Sequence, residues 1–227
     1  MLRASLATVV VGALLGARLS HAAPNEIKVF TDELAAYRAH TLETHVNKAR
    51  SGPLRVMPEY SYGLWRDWEL SLQLPMAFAS DAARGEGYRA ELQYIAPHDE
   101  ARGAYWGVNV ELARDADAIG ERFWNVELIP IVGWRDERWH LAANPGGERA
   151  LSGAERRTLA TPAFKLAYRL FGAQWLGFEH YRDEQGRTLY VAWDGKPGGA
   201  DLNVGVGRGL TGRTDRWVLK AIYEFAF

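Results

Sequence analysis

The 227-residue chain contains no cysteine. A disulfide framework is therefore excluded, as are thiolate metal sites and cysteine nucleophiles. It also lacks an excess of charge of either sign. Its 27 Lys and Arg face 28 Asp and Glu, for a formal net charge of -1. A nucleic-acid surface needs a basic excess, so no nucleic-acid partner is expected. Past residue 22 no apolar run approaches the about 18 residues that a membrane-spanning helix requires. If the chain enters a bilayer, it must do so as strands. Serine is scarce beyond residue 22, at Ser51, Ser61, Ser71, Ser80 and Ser152. No Gly-x-Ser-x-Gly elbow surrounds any of them, and no His precedes a Ser by two residues. No catalytic residue is expected on this pattern.

What the chain does have is aromatic and alternating. Nine Trp and ten Tyr suit places where an apolar ring meets water, such as a membrane interface. At the start, Arg3 precedes an unbroken small or apolar run from Leu6 to Leu15, followed by Ser20-His21-Ala22. This reads as a signal peptide over residues 1–22, cleaved after Ala22 on export. Residues 23–40 read as a lead-in or an extra strand. Residues 41–227 read as one β-domain.

Period-two alternation runs through that domain. Trp68, Leu70, Leu72, Leu74 and Met76 interleave with Glu69, Ser71, Gln73 and Pro75. Trp106, Val108, Val110 and Leu112 interleave with Gly107, Asn109 and Glu111. A strand sends alternate side chains to opposite faces, so each such segment has one apolar and one polar face. Twelve strands are expected, near 41–48, 54–63, 66–77, 87–96, 104–113, 122–133, 137–144, 162–170, 173–181, 187–194, 200–208 and 216–227. The polar face carries charge at nearly every strand, and Trp or Tyr ends the apolar rows. That combination predicts an all-β, antiparallel, up-and-down transmembrane barrel, with lipid outside and a polar lumen. Residues 78–86, 113–121 and 145–160 read as longer outer loops, and Gly63–Asp67, Trp134–Arg138 and Phe171–Gln174 as tight turns. Gly209–Arg213 looks like the Gly63 turn, although strand parity sends it to the other end.

The lumen candidates follow from the alternation: Glu43, His45, Arg55, Glu59, Glu69, Gln73, Arg89, Glu91, Asn109, Glu111, Glu127, His140, Lys165, Arg169, Glu179, Lys220 and Glu224. Acids exceed bases, which favours cations in a narrow passage. Glu69, Glu91, Glu111 and Glu127 are expected on one wall, with Arg55, Arg89, Lys165 and Arg169 opposite. The competing expectation is that these charges pair and plug a small barrel. His45 and His140 with Glu43 offer ligand chemistry, but their spacing specifies no metal. No cofactor is expected.

The closing row Trp217, Leu219, Ala221, Tyr223, Phe225 ends at Phe227. A terminal aromatic after an alternating row resembles the signature read by the outer-membrane assembly machinery, and Tyr223, Phe225 and Phe227 are its candidate residues. The chain also resembles a widespread group of proteobacterial outer-membrane proteins, distantly similar to the MetA-pathway phenol-degradation family, whose members are often labelled transporters. The matching stretches are Glu26–Phe30, Tyr62–Leu70 with Leu74-Pro75, Tyr105–Asn109, Ile129–Trp134, Gly209–Thr211 and Trp217–Lys220. The resemblance implies a porin-like barrel in the outer membrane of a Gram-negative cell. It carries over no catalytic residue and no substrate.

The expected function is a small channel or solute-binding transport barrel, with lipid, the assembly machinery and a small solute or cation as partners. A membrane-embedded hydrolase acting on lipid or peptide, and a closed structural barrel, are the alternatives. If Phe227 belongs to the assembly signal, deleting it should lower outer-membrane levels while export and signal cleavage proceed. Normal membrane levels of the truncated protein would remove that role.

Overall fold

The computed structural model describes residues 27–80, 82–116, 121–153, 158–183, 186–211 and 216–227. The expected signal peptide lies outside these residues. Fourteen strand segments follow one another: β1 His40–Ala49, β2 Leu54–Trp65, β3 Trp68–Gln73, β4 Met76–Phe78, β5 Ala83–Gly85, β6 Gly87–Ile95, β7 Gly103–Ala116, β8 Arg122–Arg135, β9 Trp139–Ala150, β10 Thr158–Phe171, β11 Gln174–Asp183, β12 Gly186–Gly195, β13 Asp201–Gly209 and β14 Val218–Ala226. β4 prolongs β3 beyond Leu74-Pro75, where proline has no N–H to give the ladder, and β5 leads into β6 across Glu86. The fourteen segments therefore make twelve staves.

All staves pair antiparallel with their chain neighbours, and β1 pairs with both β2 and β14. The sheet closes on itself, so no edge is left unpaired. The expected twelve-strand, up-and-down barrel is the observed fold. Closure is extensive, running from Thr41 opposite Ala226 to Ala49 opposite Val218. Both termini of the wall thus lie at one end, here called the terminal end. With an even stave count the Gly63 turn sits at the terminal end and the Gly209 connection at the far end.

The strands run further than alternation alone implies, and the expected long loops shrink accordingly. β9 continues through Asn144-Pro145-Gly146-Gly147, which reads as a turn in isolation. Gly147 is instead flanked by Leu128 of β8 and Ala160 of β10. Pairing on both sides overrides local propensity. The same strands carry an irregularity. The β8–β9 pairing stops at Leu128–Gly147 and resumes at Val132–Ala143. Pro130 and Pro145 face each other inside that gap, where neither has an amide proton to donate.

The outer surface is apolar. Leu72 and Leu128 are each 53% exposed, Leu219 is 56% exposed, and Trp106 58%. Continuous apolar bands of this kind are not left to water. Aromatic rings crowd the terminal end: Trp65 and Trp68 flank one turn, Trp134 and Trp139 another, and Trp68 packs 4.8 Å from Tyr94, itself 5.9 Å from Trp106. Glu, Gln, Asn, His and Lys side chains fill the buried inner face. A charge on the outer band must therefore be placed against lipid. Leu72→Arg should cost about 2–4 kcal/mol in reversible unfolding from lipid vesicles, whereas Gln73→Arg, between two inner carboxylates, should cost far less. Equal costs on the two faces would refute this assignment of inside and outside.

Candidate functional site

The lumen is not empty of chain. Residues 27–39 form no wall strand and run inside the barrel, where Ile27, Val29, Phe30, Thr31 and Ala35 are buried. Two features of the sequence hold them there. The first is apolar. Ile129-Pro130-Ile131-Val132 breaks the alternation by placing Ile129 and Ile131 on the inner face. Phe30 packs onto them with Ile95 and Tyr105, and Leu34 covers the cluster. The second is polar. The Phe30 amide donates to Asn144 Oδ1 at 2.9 Å, and Asn144 Nδ2 returns a bond to the Phe30 carbonyl at 3.0 Å. Gln93 donates to the Glu33 carbonyl at 3.2 Å, and Lys220 Nζ to the Ile27 carbonyl at 3.0 Å. The Ala35 amide donates to Glu69. A segment that lies inside a barrel without ladder partners must find side-chain ones, and these supply them.

The segment leaves the lumen through a tight crossing. Arg38 adopts φ 65°, a left-handed turn that swings the chain onto β1. Its amide donates to the Gly63 carbonyl at 2.8 Å. A Cβ on Gly63 would sit 2.1 Å from the Ala36 carbonyl oxygen. Glycine is required there so that the segment can cross the wall backbone.

On the wall, Glu91, Glu111, Glu127 and Glu148 are direct cross-strand neighbours on β6 to β9. Like charges set opposite one another repel. Donors are placed against them: Gln73 and Asn109 to Glu91 at 2.5 and 2.8 Å, Arg89 to Glu111 at 3.3 Å, Thr161 to Glu127 at 2.5 Å and Asn125 to Glu148 at 3.1 Å. Three of the four acids expected on one wall share this row. Glu69 lies one layer nearer the terminal end, opposite Gln93.

The expected opposing basic wall does not form. Arg55 pairs with Glu86 at 3.0 Å, and Arg89 with Glu111 and Asp115, on the same side as the acids. Lys165 lies 2.9 Å from Asp194 and 3.5 Å from Glu179, which also meets Lys220. Arg169 is exposed at the mouth, 4.5 Å over the Trp175 ring. A buried charge without a partner costs several kcal/mol, so the buried bases Arg55, Arg89 and Lys165 sit beside carboxylates instead of across a gap from them.

Glu43, His45 and Glu59 converge on β1 and β2: His45 Nε2 is 2.5 Å from Glu43 and 3.5 Å from Glu59. Glu224 is half-buried opposite Glu43. His140, which sequence grouped with His45, lies elsewhere. It meets Tyr105 Oη at 2.9 Å and Asp32 at 3.8 Å. Asp32 also accepts from Arg135 and pairs with His98 at 2.9 Å. This cluster was not readable from strand alternation because its central acid belongs to the inner segment, as do Lys28, which meets Glu43, and Glu33. Asn144 was readable, since it shares the inward parity of His140. Ser61 and Ser71 Oγ lie 2.7 Å apart and within 3.2 and 3.3 Å of Glu59 and Glu69, so their hydroxyls serve the polar lattice. Phe227, 69% exposed, ends the wall with its amide on the His40 carbonyl at 2.9 Å.

Beside the segment lies a cavity of 770 Å³ in the terminal half of the lumen. Eleven carboxylates and six Lys or Arg side chains line it, so its field favours cations. The segment's own charges are tuned by this setting. Burial works against the Lys28 ammonium, yet the carboxylates of Glu43, Glu59, Glu224 and Glu69 lift its pKa well above the ordinary lysine value. Burial likewise works against Glu33, but Lys165, His140, Arg135 and Lys196 hold its carboxyl below the ordinary range. Burial raises Asp32 above that range, partly offset by Arg135 and the His98 hydrogen bond.

The signs fix how docking depends on pH. A raised carboxyl pKa means that the docked state binds the proton more readily, so acid favours docking through Asp32. A depressed one means that the Glu33 contribution is complete above the ordinary carboxylate range and is lost only below it. The Lys28 contribution is complete below the ordinary lysine value and is lost only above it. Amide exchange at Phe30, corrected for its intrinsic rate, should therefore stay protected through the whole ordinary carboxylate range. Loss of protection on crossing that range would overturn the reading.

No protein-family description matches the sequence, and no curated protein does either. Solved structures match in fold. An outer membrane channel from Pseudomonas putida F1 is 15% identical, with a TM-score of 0.57 over 89% of this chain and 100% of that one. Outer membrane phospholipase A from Escherichia coli is 11% identical over 86% and 98% of the two chains, with a TM-score of 0.47. A mutant of the Rh. blastica porin is 10% identical over 83% and 99%, with a TM-score of 0.32. At these identities the likeness to the Pseudomonas channel is one of fold.

Proposed function

We propose that this chain is an outer-membrane channel for small, cation-leaning solutes, and that its N-terminal segment sets the resting conductance from inside the lumen. The observation that carries the reading is the 770 Å³ acid-rich cavity lined on one side by residues 28–37. A barrel with only a structural role has no need of a removable inner segment beside an open charged volume. On this reading the chain is exported past the inner membrane and inserted from the periplasm, with its apolar band against lipid and the crowded aromatic end at one interface.

Residues 28–36 are held by side-chain hydrogen bonds, ion pairs and two apolar clusters, not by a ladder. They are therefore the part of the barrel that can leave without opening the wall. Their removal would join the cavity to the upper lumen, where the row from Glu91 to Glu148 continues the acidic lining.

Planar-bilayer recording tests this directly. Deletion of residues 27–36 should raise single-channel conductance several-fold over the parent, with the barrel still showing its folded, heat-modifiable mobility on gels. Reversal potentials in a salt gradient should show cation preference in the shortened protein. Glu91→Gln with Glu111→Gln should weaken that preference, most at low salt, where screening is least. Conductance unchanged by the deletion, or anion preference, would overturn the proposal.

A further inference from the structure

One inner cluster has the chemistry of a metal site. Glu43 and His45 occupy alternate positions of β1 and so share its inner face. Glu59 stands directly opposite Glu43 on β2. One donor atom from each of the three lies within 4.8 Å of the other two. All three side chains are buried, His45 to 2% exposure.

A single imidazole with two carboxylates suits a first-row divalent ion. The nitrogen donor disfavours magnesium and calcium, and the absence of sulfur disfavours copper(I). Zinc would sit about 2.0–2.2 Å from each donor, which places tetrahedral donors about 3.4 Å apart. The His45–Glu59 separation of 3.5 Å already meets this. Only the 2.5 Å His45–Glu43 contact must widen, which a side-chain rotation supplies.

Two further observations point to a ligand. A cation already stands at the cluster: Lys28 Nζ, carried in by the N-terminal segment, lies 2.9 Å from Glu43 Oε1. The carboxylate chosen by the third donor is held from behind, because Gln73 Nε2 donates to Glu59 Oε2 at 3.0 Å and Ser61 Oγ to Glu59 Oε1 at 3.2 Å. Outer partners of this kind fix metal ligands in orientation.

We propose that Glu43, His45 and Glu59 bind a zinc-class divalent cation in the lumen wall, and that Lys28 is a tethered cation covering the same site. Metal and docked segment then compete. The ion would displace the ammonium and take the His45 Nε2 lone pair, with any proton on that nitrogen released to solvent. Glu43 holds the Lys28 ammonium at 2.9 Å and Glu59 stands directly opposite Glu43, so two carboxylates are at hand to balance the extra positive charge when the ion enters.

The test is zinc titration by calorimetry on the purified, detergent-held full mature protein. Folding of every variant is checked by heat-modifiable gel mobility. Lys28→Met should bind Zn²⁺ about tenfold more tightly than the parent, since a competitor has been removed. Lys28→Met combined with His45→Gln should lose at least about tenfold relative to Lys28→Met alone. Equal affinity of Lys28→Met and the parent would overturn the competition. Equal affinity with and without His45 would place the bound zinc elsewhere and overturn the site. Because the titration reads binding alone, its failure is distinct from failure of the channel reading, which conductance decides.

Discussion

The closed ring of backbone hydrogen bonds is the constraint from which the remaining structure follows. A wall one strand thick has two faces, and period-two side chains must be sorted between them. Once the outer face is given to Leu, Val, Trp and Tyr, everything polar is driven inward. Inside, about a dozen staves deliver more carboxylates than a barrel of this bore can hydrate. Each acid then needs a donor, and the lattice of Gln73, Asn109, Arg89, Thr161 and Asn125 answers that need along a single row.

The inner segment belongs to the same logic. A wall side chain facing inward is satisfied either by a neighbour on the wall or by something in the lumen. Asn144, Gln93, Glu69 and Lys220 use the second route, each meeting the backbone of residues 27–39. Ile129 and Ile131 do so through apolar contact with Phe30. The segment thus completes the inner face as a core completes a globular protein.

Sequence made the barrel legible because alternation is a local property. Trp68 to Met76 announces its two faces without help from any other strand. The same holds for the inward placement of Glu43, His45, Glu91 and Glu111. What pairs with what was not legible, since it depends on register, and register is fixed by neighbours. Arg89 could not be assigned to Glu111 rather than to an opposite wall without knowing that Arg89 faces Ala113. The segment's position was legible only in part. Ile129-Pro130-Ile131-Val132 puts apolar side chains on both faces, which requires an apolar partner within the lumen, but nothing local to that run names Phe30 as the partner. Asn144-Pro145-Gly146-Gly147 misled for the opposite reason: its composition speaks of a turn, while strands on either side hold it extended.

The facing prolines of β8 and β9 have a structural consequence. The β1–β14 seam, where the ring is closed last in chain order, carries nine consecutive residue pairs. The β8–β9 contact is interrupted in its middle, between Leu128–Gly147 and Val132–Ala143. The join of the two ends is thus an unbroken ladder, while an interrupted one lies on the opposite flank. The Phe30–Asn144 bonds lie against that interruption from the inside. From within, the inner segment thus spans a stretch of wall that lacks rungs of its own.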